Sequence, residues 1–314
     1  MDFYSFIFRK RQIFIIMVLS LMMTGVTKSQ ERDFYWWNEI HNWDGITNWE
    51  DYIIKSPGFM GPNALPVPQV KNGNIVYDFE VQIATDIHFS KGDQTQNLFL
   101  HIDYPLVKEV VSLEFYVVPL EHYKMDITTR DYRYSRDFDG KGFAGGDIYF
   151  GTQIQIVKNN EKWPDIALGL NCRTASGTNL EGARFTEGPG YFFDLSFGKN
   201  MNQKWNFYGM AGFYVWQANY NTGHVTYHQN DAFLFGLGTG YSFKSLTINN
   251  SFAGYLGYIG NDDNPIVYRL DLKKELGKID VHAGYQYGIN IVKYHMFRVS
   301  VFFRFEKGIV EFPL

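Results

Sequence analysis

Two short motifs set a carboxylate beside an imidazole: Asp86-x-His88 and His101-x-Asp103. In an extended chain, residues two apart share a face, so each motif can hold an acid and a ring within reach of one another. Such a pair can relay a proton for hydrolysis or contribute to a metal site. Hydrolysis also needs a nucleophile or an activated water, and no serine or cysteine stands in an obvious place for it. No catalytic residue, metal ligand or cofactor is therefore assigned, and the chain is not expected to be an enzyme. A third polar stretch, Arg130 to Gly140, alternates arginine, aspartate and aromatic residues. Guanidinium and aromatic planes suit sugars, bases or phosphates, and equally a solvated loop folded over a mouth. Asp137-x-Asp139-Gly140 lacks the remaining ligands of a calcium loop.

The elements that must position these residues follow from a two-residue alternation. From Ile75 to Phe89, Tyr77, Phe79, Val81, Ile83, Ile87 and Phe89 are apolar, and Asp78, Glu80, Gln82, Asp86 and His88 fall between them. One face is greasy and one wet. Similar segments recur to the end of the chain. Twelve strands are predicted, at 75–89, 97–106, 110–120, 147–157, 163–173, 190–198, 205–216, 232–243, 245–257, 266–274, 279–291 and 296–305. The connections alternate. Those at 90–96, 121–146, 174–189, 217–231, 258–265 and 292–295 are generally the long ones, and the others are short. An even number of amphipathic strands with this asymmetry is the pattern of a transmembrane β-barrel, apolar outside and polar inside. Long connections then face outward, and both termini lie in the periplasm.

Parity assigns the faces. Sets such as Leu98, Leu100, Ile102 and Tyr104, or Tyr191, Phe193, Leu195 and Phe197, face lipid. The inward candidates are Asp78, Glu80, Asp86, His88, His101, Asp103, Glu114, Arg173, Asp194, Arg269, Asp271, Asp280, His282, Arg298 and Arg304. Acids gather on early strands and arginines on late ones. Closing the barrel sets the first strand beside the last, so Asp78 and Glu80 are expected to pair with Arg298 and Arg304. Opposed charges on a pore wall orient polar solutes, or simply brace a narrow barrel. Gly236, Gly238 and Gly240, with Gly254 and Gly257 on the neighbouring strand, are read as an inner docking strip or a point of strong curvature.

Composition agrees. Aromatics make up 18% of the chain, more than a core needs, and girdles at two membrane interfaces account for the excess. Mean hydropathy is −0.25, as expected when every second wall residue is polar. The net charge of −4 offers no nucleic-acid footprint.

Residues 1–29 read as a signal peptide. Arg9, Lys10 and Arg11 precede a short apolar run, Ile13 to Met23, well below the ~20 residues of a spanning helix. Thr27 and Ser29 place cleavage after Ser29. Cys172 is the one cysteine, so no lipid-modified cysteine follows the signal. Residues 30–74 form a separate Trp- and Pro-rich segment. Trp36, Trp37, Trp43 and Trp49 crowd together before Pro57, Pro62, Pro66 and Pro68, and Thr47 with Glu50 fits a capping box. This segment is expected to plug the barrel of residues 75–305 or to sit at its periplasmic mouth. Residues 306–314 are a tail.

On its strand pattern, and on the final strand Met296 to Phe305 with its closing aromatic, the chain resembles the Gram-negative outer-membrane β-barrel class, in a porin-like, uncharacterised subfamily. The resemblance implies contact with outer-membrane lipids and lipopolysaccharide, insertion by the barrel-assembly machinery, and passage of a small polar solute. A structural or surface-interaction barrel with little flux is the alternative, and an outer-membrane hydrolase the less favoured one. The expected outcome of fractionation is retention in the membrane pellet after carbonate extraction, with faster gel migration before boiling than after. Recovery as a soluble periplasmic protein would contradict the strand reading.

Overall fold

The computed structural model describes residues 33–202, 204–217, 220–221, 226–227 and 230–305. The expected signal peptide, its cleavage position and the 306–314 tail lie outside the described residues. Contacts divide the chain into Met1–Glu39 and Ile40–Leu314. A short helix, α1, spans Tyr35–Ile40. The barrel and its filling belong to the second unit.

The wall strands are β1 (Phe79–Ser90), β2 (Asp93–Val107), β3 (Val111–Met125), β5 (Tyr149–Val157), β6 (Asp165–Arg173), β7 (Gly190–Met201) and β8 (Trp205–Gln217), then β11 (Asn230–Phe243), β12 (Leu246–Gly257), β13 (Ile266–Glu275), β14 (Ile279–Asn290) and β15 (Tyr294–Phe305). Each pairs antiparallel with its sequence neighbour, and β1 pairs with β15 from Phe79↔Phe305 to Ser90↔Tyr294. The ring of twelve strands therefore closes, leaving no open edge. A short β4 (Lys141–Ala144) extends the sheet beside the far end of β3, and β9 (Tyr220–Asn221) with β10 (Thr226–Tyr227) forms a separate ribbon. Helix α2 (Ile127–Tyr132) sits in the connection after β3, its N-terminus capped by the Asp126 carboxylate accepting from Thr129 N.

Parity holds along most of the wall. On β7, Phe193 and Leu195 face outward while Asp194 and Ser196 are buried inside. Two places differ from the sequence reading. The first outer connection is not 90–96 but the two-residue turn Lys91-Gly92, with Gly92 at φ 83°. Asp93, Thr95 and Asn97 continue the alternation as buried inward residues, so the polar run is strand rather than loop. On β3, the pairing with β2 slips between Leu98↔Leu120 and Leu100↔Val117. This bulge moves the inward set from Ser112, Glu114 and Tyr116 to Glu121, Tyr123 and Met125.

The core lies inside the barrel. Residues 40–75 form a strap that turns at 49–52, 57–59 and 62–64 and runs without regular structure from 66 to 72. At the long-connection end, His41 packs on Tyr134 and Phe59 stacks on Tyr132. There too, Gly58 N donates to Asp262 O (3.2 Å) and Gly61 N to Ala183 O (2.8 Å). Midway, Met60, Leu65 and Val67 join Phe192, Tyr214, Leu234 and Tyr255 in one buried cluster. At the short-turn end, Ile75 N donates to Gln155 Oε1 (3.1 Å) and Asn74 bonds Lys158. The strap thus crosses the lumen from the long-connection end before β1 climbs back.

Several expectations about this segment change. The chain from Ile40 onward starts at the long-connection mouth and runs into the barrel interior. The helical turn Trp49–Tyr52 is capped by Asn48, not by a Thr47/Glu50 box. Aliphatic residues and prolines enter the lumen, while Trp49 stays at the mouth under Arg136 (4.7 Å). Gly236 does meet the strap, where an added Cβ would lie 2.7 Å from Val70 Cγ2. Gly254 does not, because it pairs with lipid-facing Phe235.

Cysteine labelling tests this path. Ile46, 78% exposed, should label in intact cells when replaced by cysteine, as should Thr178, while Asn160 should label only after permeabilisation. Protection of the Ile46 position beside a labelled Thr178 position would contradict the strap's course.

Candidate functional site

The inner wall's charges are answered in local groups, each set by cross-strand register. At the β1/β15 seam, Asp86 stands opposite Arg298. Arg298 donates through Nε (2.6 Å) and Nη2 (2.8 Å) to the two oxygens of a fully buried Asp86. Asn97 Nδ2 donates to the same carboxylate (2.9 Å), and its Oδ1 lies 3.1 Å from His88 Nε2. Phe99 lies under the Arg298 guanidinium at 4.3 Å. The expected partners are thus corrected. Arg298 takes Asp86 rather than Asp78 or Glu80, and Arg304 donates to Asp280 (2.6 Å). Glu80 does face Arg304 in register, but Asp280 also receives Lys273 (3.0 Å) and forms the closer group. Asp78 is half-buried just ahead of β1.

A second group lies on β2, β3 and β7. Lys71 of the strap reaches Glu114 (3.4 Å) and Asp194 (3.3 Å). His101 Nε2 is 3.2 Å from Glu114 and 3.5 Å from Asp103. A third group clamps the strap's backbone. Arg269 donates to Val67 O (2.5 Å) and Pro68 O (3.0 Å), and to Gln286 (2.5 Å). Arg173 donates to Ala64 O (3.1 Å) and Trp216 O (3.2 Å), and the Tyr255 hydroxyl donates to Leu65 O (2.9 Å). Two arginines counted as wall charges therefore act mainly as carbonyl donors.

Between the strap and the wall lies a cavity of about 370 Å³. The strap from Pro66 to Lys71 forms one side. Asp86, His101, Glu114, Asp271, His282 and Arg298 stand on the other, with Phe99 and Tyr116 among them. His282 is stacked flat on Phe302 at 4.0 Å.

Sequence reasoning missed a buried group at the long-connection mouth. Arg184, wholly buried, donates to Glu121 (2.6 Å), Asp93 (3.0 Å) and Thr95 (2.8 Å). Arg133 shares the same Asp93 oxygen at 2.5 Å. Burial alone would lower the Arg184 pKa, but Glu121 and Asp93 outweigh it and hold the guanidinium above its usual range. Arg133 goes the other way, because burial exceeds what its share of Asp93 returns. Nearby, burial raises the Asp147 carboxyl against the pull of Arg173 and a hydrogen bond from Gly177 N. Continuing the alternation through Asp93-x-Thr95-x-Asn97 would have found half of this group. The bulge hides Glu121.

No family model matches the chain, and no curated protein matches it. Solved structures do. The chain is similar to an outer membrane channel of Pseudomonas putida F1, at TM-score 0.54 and 13% identity over 77% of this chain and 97% of that one. It is also similar to the NanC porin, at TM-score 0.50 and 9% identity over 72% of this chain and 100% of that one. The shared feature is the fold, that of outer-membrane β-barrels.

Removing one partner of the buried Asp86–Arg298 pair should cost about 3–5 kcal/mol. Asp86→Ala is expected to lower the urea midpoint of the protein refolded in lipid vesicles, and Asp86→Leu with Arg298→Met to recover most of the loss. Equal stability of Asp86→Ala and the parent would show that the pair does not brace the seam.

Proposed function

We propose that the protein is an integral outer-membrane channel for passive diffusion of small polar solutes, narrowed by its own N-terminal strap. The observation that carries this reading is the cavity of about 370 Å³ left between the strap and a charged wall inside a closed barrel. A lumen with no such space would favour a purely structural role. The wall offers carboxylates, guanidinium and aromatic faces to one passing molecule, so a neutral or zwitterionic solute finds both donors and acceptors. Most of these charges already have partners, which weakens net preference for either sign. The candidate wall residues remain Asp86, His88, His101, Asp103, Glu114, Asp271, His282 and Arg298, with Arg173 and Arg269 reassigned to holding the strap. The names of the two similar barrels, a channel and a porin, support the same class. Outer-membrane lipid and lipopolysaccharide would cover the aromatic outer face, and the barrel-insertion machinery would receive the strand ending at Phe305.

The filled centre favours one competing reading, a closed barrel that displays its outer connections to a partner. Single-channel recording separates the two. The intact protein should show a small conductance, and deletion of residues 33–70 should raise it several-fold while heat-modifiable migration persists. Silence in both proteins, with the deleted barrel still folded, would favour the closed barrel.

A further inference from the structure

We propose that His101, Asp103 and Glu114 form a divalent-cation site of the zinc class on the inner wall. The β2–β3 hairpin builds it. Asp103 and Glu114 are direct cross-strand partners, and His101 lies two residues before Asp103 on the same face. The His101 Nε2 atom is 3.2 Å from Glu114 Oε1 and 3.5 Å from Asp103 Oδ2, and all three donor atoms lie within 4.8 Å of one another. Zinc–ligand bonds of about 2.1 Å in a tetrahedron place neighbouring ligands roughly 3.4 Å apart. Two edges of the set therefore already have the spacing of a zinc site, and the third, between the two carboxylates, lies within 4.8 Å, a gap that side-chain rotation can close without any strand moving.

Asp103 points to a cation independently. It is only 9% exposed, and it stands in register between Glu80 on β1 and Glu114 on β3. Like charges directly opposite on a sheet repel, and a buried carboxylate needs a partner. Lys71 answers Glu114 and Asp194. Among the described residues, no hydrogen bond reaches the Asp103 carboxylate, and the His101 ring at 3.5 Å is its ion-pair partner. A cation between the three groups would supply the missing charge.

Outer contacts aim the ligands. Gln153 Nε2 donates to Glu114 Oε2 (3.1 Å), and Lys71 sits on that same oxygen (3.4 Å), which leaves Oε1 turned toward His101. The Tyr116 ring meets the His101 imidazole edge-on at 5.8 Å, and Phe99 flanks it at 6.2 Å. Such second-layer contacts orient metal ligands. His101 and Glu114 both line the cavity, so a fourth coordination position would open onto the lumen. The nitrogen donor and the short spacing suit zinc, whereas calcium asks for six or more oxygens.

Binding can be read apart from flux, so this site and the channel reading fail separately. Refolded, tag-free protein in detergent, stripped with a chelator, should bind one equivalent of Zn²⁺ by isothermal titration calorimetry at neutral pH, with excess Ca²⁺ unable to displace it. His101→Ala and Asp103→Asn should each weaken binding by at least roughly 10–100-fold, the loss typical of removing a contact that merely supports a ligand. His295→Ala, on the outer face of β15, should leave it unchanged. Heat-modifiable migration identifies any variant that fails to fold, and Asp103→Asn then reads the same loss. The proposal is overturned if the parent binds no Zn²⁺, if His101→Ala and Asp103→Asn, both folded, bind as tightly as the parent, or if Ca²⁺ displaces the ion.

Discussion

A polypeptide wall in hydrocarbon can leave no backbone amide unpaired, and most of the architecture follows from that constraint. It forces the sheet to close, so β1 must meet β15 in one register. Because the side-chain period is two, that register also decides which residues look inward. The same choice that pairs Phe79 with Phe305 sets Asp86 opposite Arg298 and buries their bond at the seam. Polar chemistry inside the barrel is thus a by-product of closure, later shaped by what fills the lumen.

The filling obeys the constraint in a second form. A strap with prolines at 57, 62, 66 and 68 carries carbonyls that no sheet neighbour satisfies. Arg173, Arg269 and Tyr255 project from three separate strands to supply donors. The interior therefore carries a third kind of order besides wall and loops. It combines an apolar cluster and a cavity, and the peptide that runs between them is held by wall side chains.

Much of this was legible in the sequence, and the failures have physical causes. All twelve wall strands were visible because alternation against lipid is strict, and residues such as Phe193 and Asp194 cannot exchange faces cheaply. The polar start of β2 reads as loop because Ser90 to Gln96 has no apolar beat. Glu121 was hidden by a bulge that alters the count by one. The inward set was readable, but its pairing was not. Whether Arg298 meets Glu80 or Asp86 depends on the stagger at closure, which parity does not encode. The strap's role was half legible. Its tryptophans suggested docking, yet aliphatic and proline residues enter the lumen, and nothing local marks Arg173 and Arg269 as ligands for main-chain oxygens.

The strap is fastened at both ends, through Gly58 and Gly61 at one mouth and Ile75 at the other. It behaves as a ruler cut to the height of the wall. An extended chain advances about 3.3 Å per residue. Losing one residue between the fastenings would slide Ala64, Leu65, Val67 and Pro68 past their donors together, and would turn alternate side chains from the wall toward the cavity. Length within this segment is therefore under tighter physical constraint than residue identity, and the connections that hold Asp262 and Ala183 share that constraint, because they carry one of its two fastenings.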